Sequence, residues 1–240
     1  MYFVNDLADI DADRAHPRKK DRPIASGVIP KAVAITVPIV LFVAGLAVAL
    51  VAGSALMIVI LCYDLIQLAY CFWLKHMPIL DIAVVSSGFL LRAVAGGVAT
   101  NALPTQWFLL VAVFGSLLIV AGKRYGEIIA ERPAGAPQRG SLKHYTPSYL
   151  RFIWQASAAI LVLSYSLWAF GEGNDRSSLW LSLSVAPFLL AVIRFCQHID
   201  RGDAEAPEEI AMHDRMLQVL AVLWVLTLAV GVYAKPLFFH

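Results

Sequence analysis

The chain has 240 residues, of which 60% are hydrophobic and 15% are charged, and its formal net charge is +2. Soluble proteins contain about 45–50% apolar and about 25% charged residues, so this composition excludes a disordered chain, a disulfide-stapled secreted module and an ordinary soluble enzyme. It indicates a protein embedded largely in lipid, and so small a net charge gives no reason to expect nucleic acid as a partner.

The first feature along the chain is an acidic segment. Asn5, Asp6, Asp9 and Asp13 fit the pattern NDxxDxxxD. On a helix, positions 5, 9 and 13 share one face, and Asp6 lies beside it. Carboxylates on one face repel one another, and a hard divalent cation such as Mg²⁺, which prefers oxygen ligands and bridges to substrate phosphates, would compensate them. The segment therefore predicts a magnesium site; a solvated acidic helix end is the alternative.

A basic segment follows at once, with four cations between Arg18 and Arg22. Cations beside a carboxylate cluster suit an anionic ligand that is held by metal on one side and by ammonium or guanidinium groups on the other. The alternative is an anchor that binds lipid headgroups. Such an anchor would explain the cations but not the acids beside them.

Apolar segments of about 20 residues, the length that crosses a bilayer, make up most of the remaining chain. We predict an all-α, polytopic membrane helical bundle that forms one domain over residues 1–240. The seven predicted spans are 32–53, 55–74, 79–99, 106–122, 150–170, 178–195 and 216–234.

Lysine and arginine residues predict the orientation of the bundle. When residues 12–31 are placed in the cytoplasm, nearly all of the 19 Lys and Arg residues fall on the cytoplasmic side. Only Arg176 and Lys235 fall on the outer side, and Arg92 lies within a span. This asymmetry follows the positive-inside rule. It predicts a multi-pass protein of the plasma (inner) membrane whose polar site faces the cytoplasm.

Further cations are candidates for ligand binding. Burying Arg92 within a span costs at least about 2.5 kcal/mol, so it should face a cavity or a partner, with a structural or a ligand-binding role. Tyr70 and Lys75 lie at the cytoplasmic end of a span, where a lysine can also simply snorkel to the interface. Lys123 and Arg124 follow a span directly, as anchoring cations commonly do.

Several runs together resemble a known family. The acidic segment, the basic segment and the run RPIASG at residues 22–27 resemble the first signature of the UbiA superfamily of intramembrane prenyltransferases. The later runs at 70–76, 91–100 and 121–125 resemble a subgroup that transfers phosphoribose to a polyprenyl phosphate. The family fold has nine transmembrane helices. The resemblance therefore implies that this chain starts at the end of the second helix, with seven full helices after it.

The resemblance also implies a reaction. Phosphoribose passes from phosphoribosyl diphosphate to a polyprenyl (decaprenyl) phosphate in the membrane, pyrophosphate leaves, and the product serves cell-wall arabinan synthesis. Mg²⁺ would be bound by Asn5, Asp9 and Asp13, and the catalytic residues would be Asp9, Asp13 and, in support, Asp6. The candidate substrate-binding residues are Lys19, Arg22, Tyr70, Lys75, Arg92, Lys123 and Arg124.

Three alternatives stay open. A prenyltransferase of the same family could use a polyprenyl diphosphate donor and an aromatic acceptor. A non-catalytic membrane protein could bind a cation at the acidic segment, although the sequence has no internal repeat of broken helices such as transporters have. The chain could also be an inactive, truncated copy. A homo-oligomer is compatible with each of these possibilities.

Overall fold

A computed structural model of the chain describes residues 1–15, 19–130, 140–171 and 176–238. Within these ranges, the side chains at positions 12, 15, 19, 140–141, 176–178 and 234–238 fall outside the description. Every regular element in the described ranges is a helix. The structure therefore confirms the all-α prediction.

The α-helices are numbered in chain order. They are α1 (Tyr2–Ala8), α2 (Ile10–Ala15), α3 (Lys31–Ala52), α4 (Ser54–Phe72), α5 (Leu80–Ala99), α6 (Gln106–Ile129), α7 (Pro147–Gly171), α8 (Arg176–Arg201), α9 (Pro207–His213) and α10 (Arg215–Phe238). Short 3₁₀ turns lie at Lys19–Asp21, Leu74–His76, Gly140–His144 and Asp203–Glu205.

Seven helices of the described chain, α3 to α8 and α10, are long and apolar enough to cross a bilayer. This confirms the predicted number of spans and the multi-pass membrane class. The largest difference concerns α6, which continues to Ile129 although the sequence predicted an end at residue 122. The basic pair at 123–124 ends the apolar stretch but not the helix, because Glu127 lies one turn further on and compensates Arg124.

The helices form two compact units. The first contains Met1–Pro104 and Pro133–His144, and the second contains Thr105–Arg132 and Tyr145–His240. Helices α1 to α5 thus belong to the first unit, and α6 to α10 to the second. That residues 1–240 form one domain stays a prediction.

In the first unit, a small apolar cluster fixes the N-terminal segment on α3. Ile10 of α2, Ile24 of the following loop and Ala34 of α3 are buried together. Arg14 Nε donates to the carbonyl oxygen of Ala25 at 3.0 Å. The chain after α2 is therefore folded back on the short helices, and this fold brings Arg22 beside the acidic residues.

In the second unit, a chain of hydrogen bonds joins α7, α8 and α10 within their apolar stretches. Trp224 Nε1 donates to Tyr165 Oη at 2.8 Å, and Tyr165 Oη lies 2.6 Å from Ser184 Oγ. The Ser184 hydroxyl donates to the carbonyl oxygen of Leu181 at 2.5 Å, so the Tyr165 hydroxyl donates to Ser184. All three polar side chains are thus satisfied where lipid can offer no partner.

Replacing Tyr165 by phenylalanine should destabilise this unit. The change removes the acceptor of the Trp224 indole and the donor to Ser184, and a buried polar group left without a partner costs about 1–3 kcal/mol. We expect the Tm in detergent micelles to fall, whereas Tyr233→Phe, which alters a side chain that is 65% exposed, should leave it unchanged. Equal Tm values for the two variants would contradict a stabilising role of the hydrogen-bonded chain.

Candidate functional site

The acidic segment lies at the N-terminus of the first unit, where two short helices form an almost continuous one. The only break is at Asp9, which ends α1. Across this break, the Asp9 N–H still donates to the carbonyl oxygen of Asn5 at 3.0 Å, and the Asp13 N–H donates to that of Asp9 at 2.8 Å. The four-residue spacing therefore holds across the junction. Asn5, Asp9 and Asp13 follow one another at successive turns, as the sequence predicted.

Arg22 bridges two carboxylates of this segment. Its Nη1 atom donates to Asp6 Oδ1 and to Asp13 Oδ2, each at 2.9 Å. The Asp13 side chain is 4% exposed, whereas that of Arg22 is 36% exposed. The fold of the loop explains the contact, since the burial of Ile24 beside α2 and α3 holds the preceding arginine over the short helices.

Lys75 compensates the third carboxylate. It lies in the 3₁₀ turn that follows α4, and its Nζ atom is 2.5 Å from Asp9 Oδ1. The Lys75 side chain is 10% exposed and that of Asp9 is 32% exposed. A lysine that merely snorkels to the headgroups would be exposed, so the structure favours a polar site formed by Asp6, Asp9, Asp13, Arg22 and Lys75, which we call the acidic site.

The chemistry of the acidic site fits a hard divalent cation, although its carboxylates are not gathered around a metal position. No group of three or more His, Cys, Asp or Glu side chains with metal-binding geometry occurs in the described part of the chain. Two of the carboxylate oxygens, from Asp6 and Asp13, nevertheless converge on one cationic nitrogen. Oxygen ligands of this kind are those that Mg²⁺ prefers, and Arg22 neutralises two of the carboxylates that would supply them.

Arg92 and Tyr70, the other candidates in the first unit, lie within helices. Arg92 Nη2 donates to Tyr63 Oη at 2.6 Å, and its guanidinium carbon lies 5.2 Å from the Tyr63 ring and 5.5 Å from the Phe89 ring. These aromatic partners explain how a cation is tolerated within α5. Tyr70 lies near the end of α4 and is half-buried. The remaining candidate of this region, the Lys19 side chain, lies outside the described residues.

Lys123 and Arg124 lie in the second unit, in the last two turns of α6. Arg124 is 3% exposed, and its Nη1 atom lies 3.2 Å from Glu127 Oε2. Lys123 is half-buried. The neighbouring Tyr125 is also buried, and its hydroxyl accepts from Arg151 Nη2 at 2.5 Å. A buried, paired arginine suits a structural role better than the anchoring role that its position after an apolar stretch suggested.

A second polar cluster, which the sequence analysis missed, surrounds Asp214 between α8 and α10. Asp214 Oδ2 accepts from Arg194 Nε at 2.7 Å and lies 2.5 Å from His198 Nε2, and Oδ1 accepts from the backbone N–H of Leu217 at 2.9 Å. His198 Nδ1 lies 3.2 Å from Asp203 Oδ2. The Leu217 amide, then His198 and Arg194, hold the pKa of the Asp214 carboxyl well below its usual range.

Of this cluster, only the position of Asp214 could have been predicted from the sequence. An Asp directly before an apolar run is a typical helix N-cap, and this identifies Asp214 as the start of α10. Its partners Arg194 and His198 lie 20 and 16 residues away, beyond the range of helical spacing.

Comparisons with known proteins show which family this sequence resembles. The sequence profile of the UbiA prenyltransferase family matches residues 1–214. The chain is 47% identical over 242 residues to decaprenyl-phosphate phosphoribosyltransferase of Corynebacterium glutamicum, an alignment that covers 99% of this chain and 73% of the relative. It is 49% identical over 232 residues to the protein of the same name from Mycobacterium tuberculosis H37Rv, with 97% and 76% covered. The Mycolicibacterium smegmatis protein of that name is 47% identical over 241 residues.

Proposed function

The chain belongs to the UbiA prenyltransferase family, and from that membership we propose that it transfers 5-phosphoribose from phosphoribosyl diphosphate to decaprenyl phosphate in the membrane. It is a transferase, and its relatives at 47–49% identity are named for phosphoribosyl transfer to decaprenyl phosphate. The observation that carries the proposal is the acidic site, in which three carboxylates and two cations meet beside the end of a membrane span.

The reaction exchanges one C–O bond for another at the anomeric carbon of the ribose. The bond to the diphosphate breaks, a bond to an oxygen of the lipid phosphate forms, and pyrophosphate leaves with the bonding electrons. Glycosyl transfer of this kind develops oxocarbenium character. The acceptor is a phosphate monoester and already an anion at pH 7, so no residue has to remove a proton from it.

The acidic and the basic residues of the acidic site would have different roles in this reaction. Asn5, Asp9 and Asp13, with Asp6 in support, would hold Mg²⁺, which would neutralise charge on the departing pyrophosphate. Arg22 and Lys75 are suited to donate charge-assisted hydrogen bonds to phosphate oxygens. Because two anionic substrates must be held together, basic groups on more than one element are expected. Lys19, Tyr70, Arg92, Lys123 and Arg124 stay candidates for this role.

The setting of the reaction is part of the same proposal. The distribution of lysine and arginine supports an acidic site that opens to the cytoplasm, where a water-soluble phosphorylated sugar would be available. The lipid product would then supply cell-wall arabinan synthesis, as the resemblance implied. A homo-oligomer stays a prediction.

A transfer assay tests the proposal directly. The purified chain is incubated with radiolabelled phosphoribosyl diphosphate, polyprenyl phosphate and Mg²⁺ in detergent micelles, and the M. tuberculosis relative is the positive control. We expect label to enter the lipid phase and to do so only when both polyprenyl phosphate and Mg²⁺ are present. If only the control transfers label, the proposal is wrong for this chain. Transfer from a polyprenyl diphosphate to an aromatic acceptor would instead support the alternative activity.

Replacing Lys75 by alanine should raise the KM for phosphoribosyl diphosphate by about 10–100-fold, because a hydrogen bond to a charged group contributes about 1.5–3 kcal/mol. Steady-state kinetics with the donor as the varied substrate measure this change. Lys31→Ala removes the same charge at an exposed position of the same unit and should leave KM unchanged. An unchanged KM in the Lys75 variant would make that residue a structural partner of Asp9 only.

A further inference from the structure

One guanidinium nitrogen neutralises two carboxylates of the acidic site. Arg22 Nη1 lies 2.9 Å from both Asp6 Oδ1 and Asp13 Oδ2. A divalent cation that used these oxygens would compete with Arg22 for them, and the two cations would repel each other at such short range. A metal bound through these oxygens would therefore displace Arg22 from them.

The two sides of this contact differ in their freedom to move. Asp13 is almost completely buried, with a side-chain exposure of 4%, whereas Arg22 is 36% exposed and extends from a loop. Arg22 can therefore turn away, while Asp13 stays. Both contacts use one nitrogen, and a guanidinium has two further nitrogens that can donate to an anion. A diphosphate brought in with the metal would give Arg22 a new partner as it releases the old ones.

Lys75 is placed differently. It is 10% exposed and contacts one oxygen of Asp9, whose side chain is 32% exposed. It contacts one carboxylate and so does not link two of them. Arg22 is therefore the cation whose release frees two carboxylates at once.

We propose that Arg22 couples metal binding to diphosphate binding: it contacts the carboxylates of Asp6 and Asp13, as the structure shows, and transfers to the diphosphate when metal and diphosphate bind together. The metal alone then binds weakly, because Arg22 is displaced without a new partner. The metal–diphosphate complex binds well. This coupling rests on the proposed function, since it assumes a divalent cation and a diphosphate at the acidic site.

A pair of binding measurements tests the coupling without turnover. Binding of Mn²⁺ alone is measured by electron paramagnetic resonance, and binding of radiolabelled pyrophosphate is measured at saturating Mn²⁺. In Arg22→Gln we expect the affinity for Mn²⁺ alone to rise and that for Mn²⁺–pyrophosphate to fall, each by about tenfold or more, within the usual range of coupling. Lys31→Gln removes the same charge at an exposed position of the same unit and should change neither affinity.

The wild-type protein offers a second measurement that does not depend on a variant. Phenylglyoxal modifies accessible arginines, and mass spectrometry reports the modification at Arg22. We expect Mn²⁺ alone to increase this modification severalfold and Mn²⁺ with pyrophosphate to suppress it.

The outcomes separate this coupling from the proposed function. If Arg22→Gln binds Mn²⁺ alone no more tightly than the wild type, or if Mn²⁺ leaves the modification of Arg22 unchanged, the coupling is wrong although the metal site stands. If the wild-type protein binds no Mn²⁺ even with pyrophosphate, the metal role in the proposed function fails as well.

Discussion

Asp9→Asn is expected to lower the rate of phosphoribosyl transfer by about a thousandfold, the effect of losing a central electrostatic group in an active site. Asp9 lies between Asn5 and Asp13 in the acidic segment, and one of its oxygens is bound by Lys75. Asparagine has the same size but no charge. The variant therefore loses an anionic ligand of the proposed Mg²⁺ site and leaves Lys75 without its counter-ion. Initial rates of label transfer at saturating substrates measure the loss.

Asp11→Asn is the matched control for this experiment. Asp11 lies two residues from Asp9 and is exposed, and the change removes the same charge from the same short segment. Its rate should stay within about twofold of the wild type, since exposed charges contribute little. If Asp9→Asn retains a substantial part of the wild-type rate, or if the Asp11 variant loses as much, the acidic segment does not act through a metal held by Asp9.

A titration with Mg²⁺ shows how much of the rate lost in Asp9→Asn is due to weaker Mg²⁺ binding and how much to slower transfer. If Asp9 serves mainly as a ligand, the variant should need more Mg²⁺ to reach its maximal rate, and part of the rate should return at high concentration. Thermal unfolding of both variants in the same micelles excludes loss of the fold as the cause.

The sequence predicted the features that depend on neighbouring residues, namely the membrane spans and the spacing of the acidic residues. Hydropathy and length identified all seven spans, because an apolar stretch of bilayer length has few alternatives to a membrane helix. The spacing of Asn5, Asp9 and Asp13 predicted their alignment on successive turns. The end of α6 was predicted too early because the charge of Arg124 is compensated by Glu127 within the helix, a pairing that hydropathy does not register.

Contacts between distant parts of the chain were not predictable in the same way. Lys75 meets Asp9 across 66 residues of sequence, and Arg22 meets Asp6 across 16. The basic segment that follows the acidic one predicted cations beside carboxylates, but no spacing rule specifies which cation binds which carboxylate. Asp214 was missed for the same reason, since its partners come from a different helix.

Asp214→Ala is expected to destabilise the second unit by about 3 kcal/mol, the scale of breaking hydrogen bonds to a buried charge. The Asp214 side chain is 4% exposed. Its removal leaves Arg194 and His198 without their shared acceptor and removes the cap at the start of α10. Asp214→Asn keeps a side chain that can cap the helix but removes the charge, so its loss of Tm should be smaller. Asp203→Asn, at a side chain that is 53% exposed, should have little effect.

The pKa of Asp214 predicts how the difference in Tm between the wild type and the Asp214 variants depends on pH. Hydrogen bonds from Leu217, His198 and Arg194 lower that pKa in the folded protein, whereas an unfolded Asp titrates near about 3.9. A carboxyl with a lowered pKa stabilises the fold at pH values above the unfolded pKa, and this stabilisation is lost as the pH falls toward the folded value. The difference in Tm between the wild type and Asp214→Asn should therefore be full at pH 7 and shrink below about pH 4. A difference that stays constant from pH 7 to pH 3 would mean that the charge of Asp214 does not stabilise the junction of α8 and α10, and that its side chain acts there only as a helix cap.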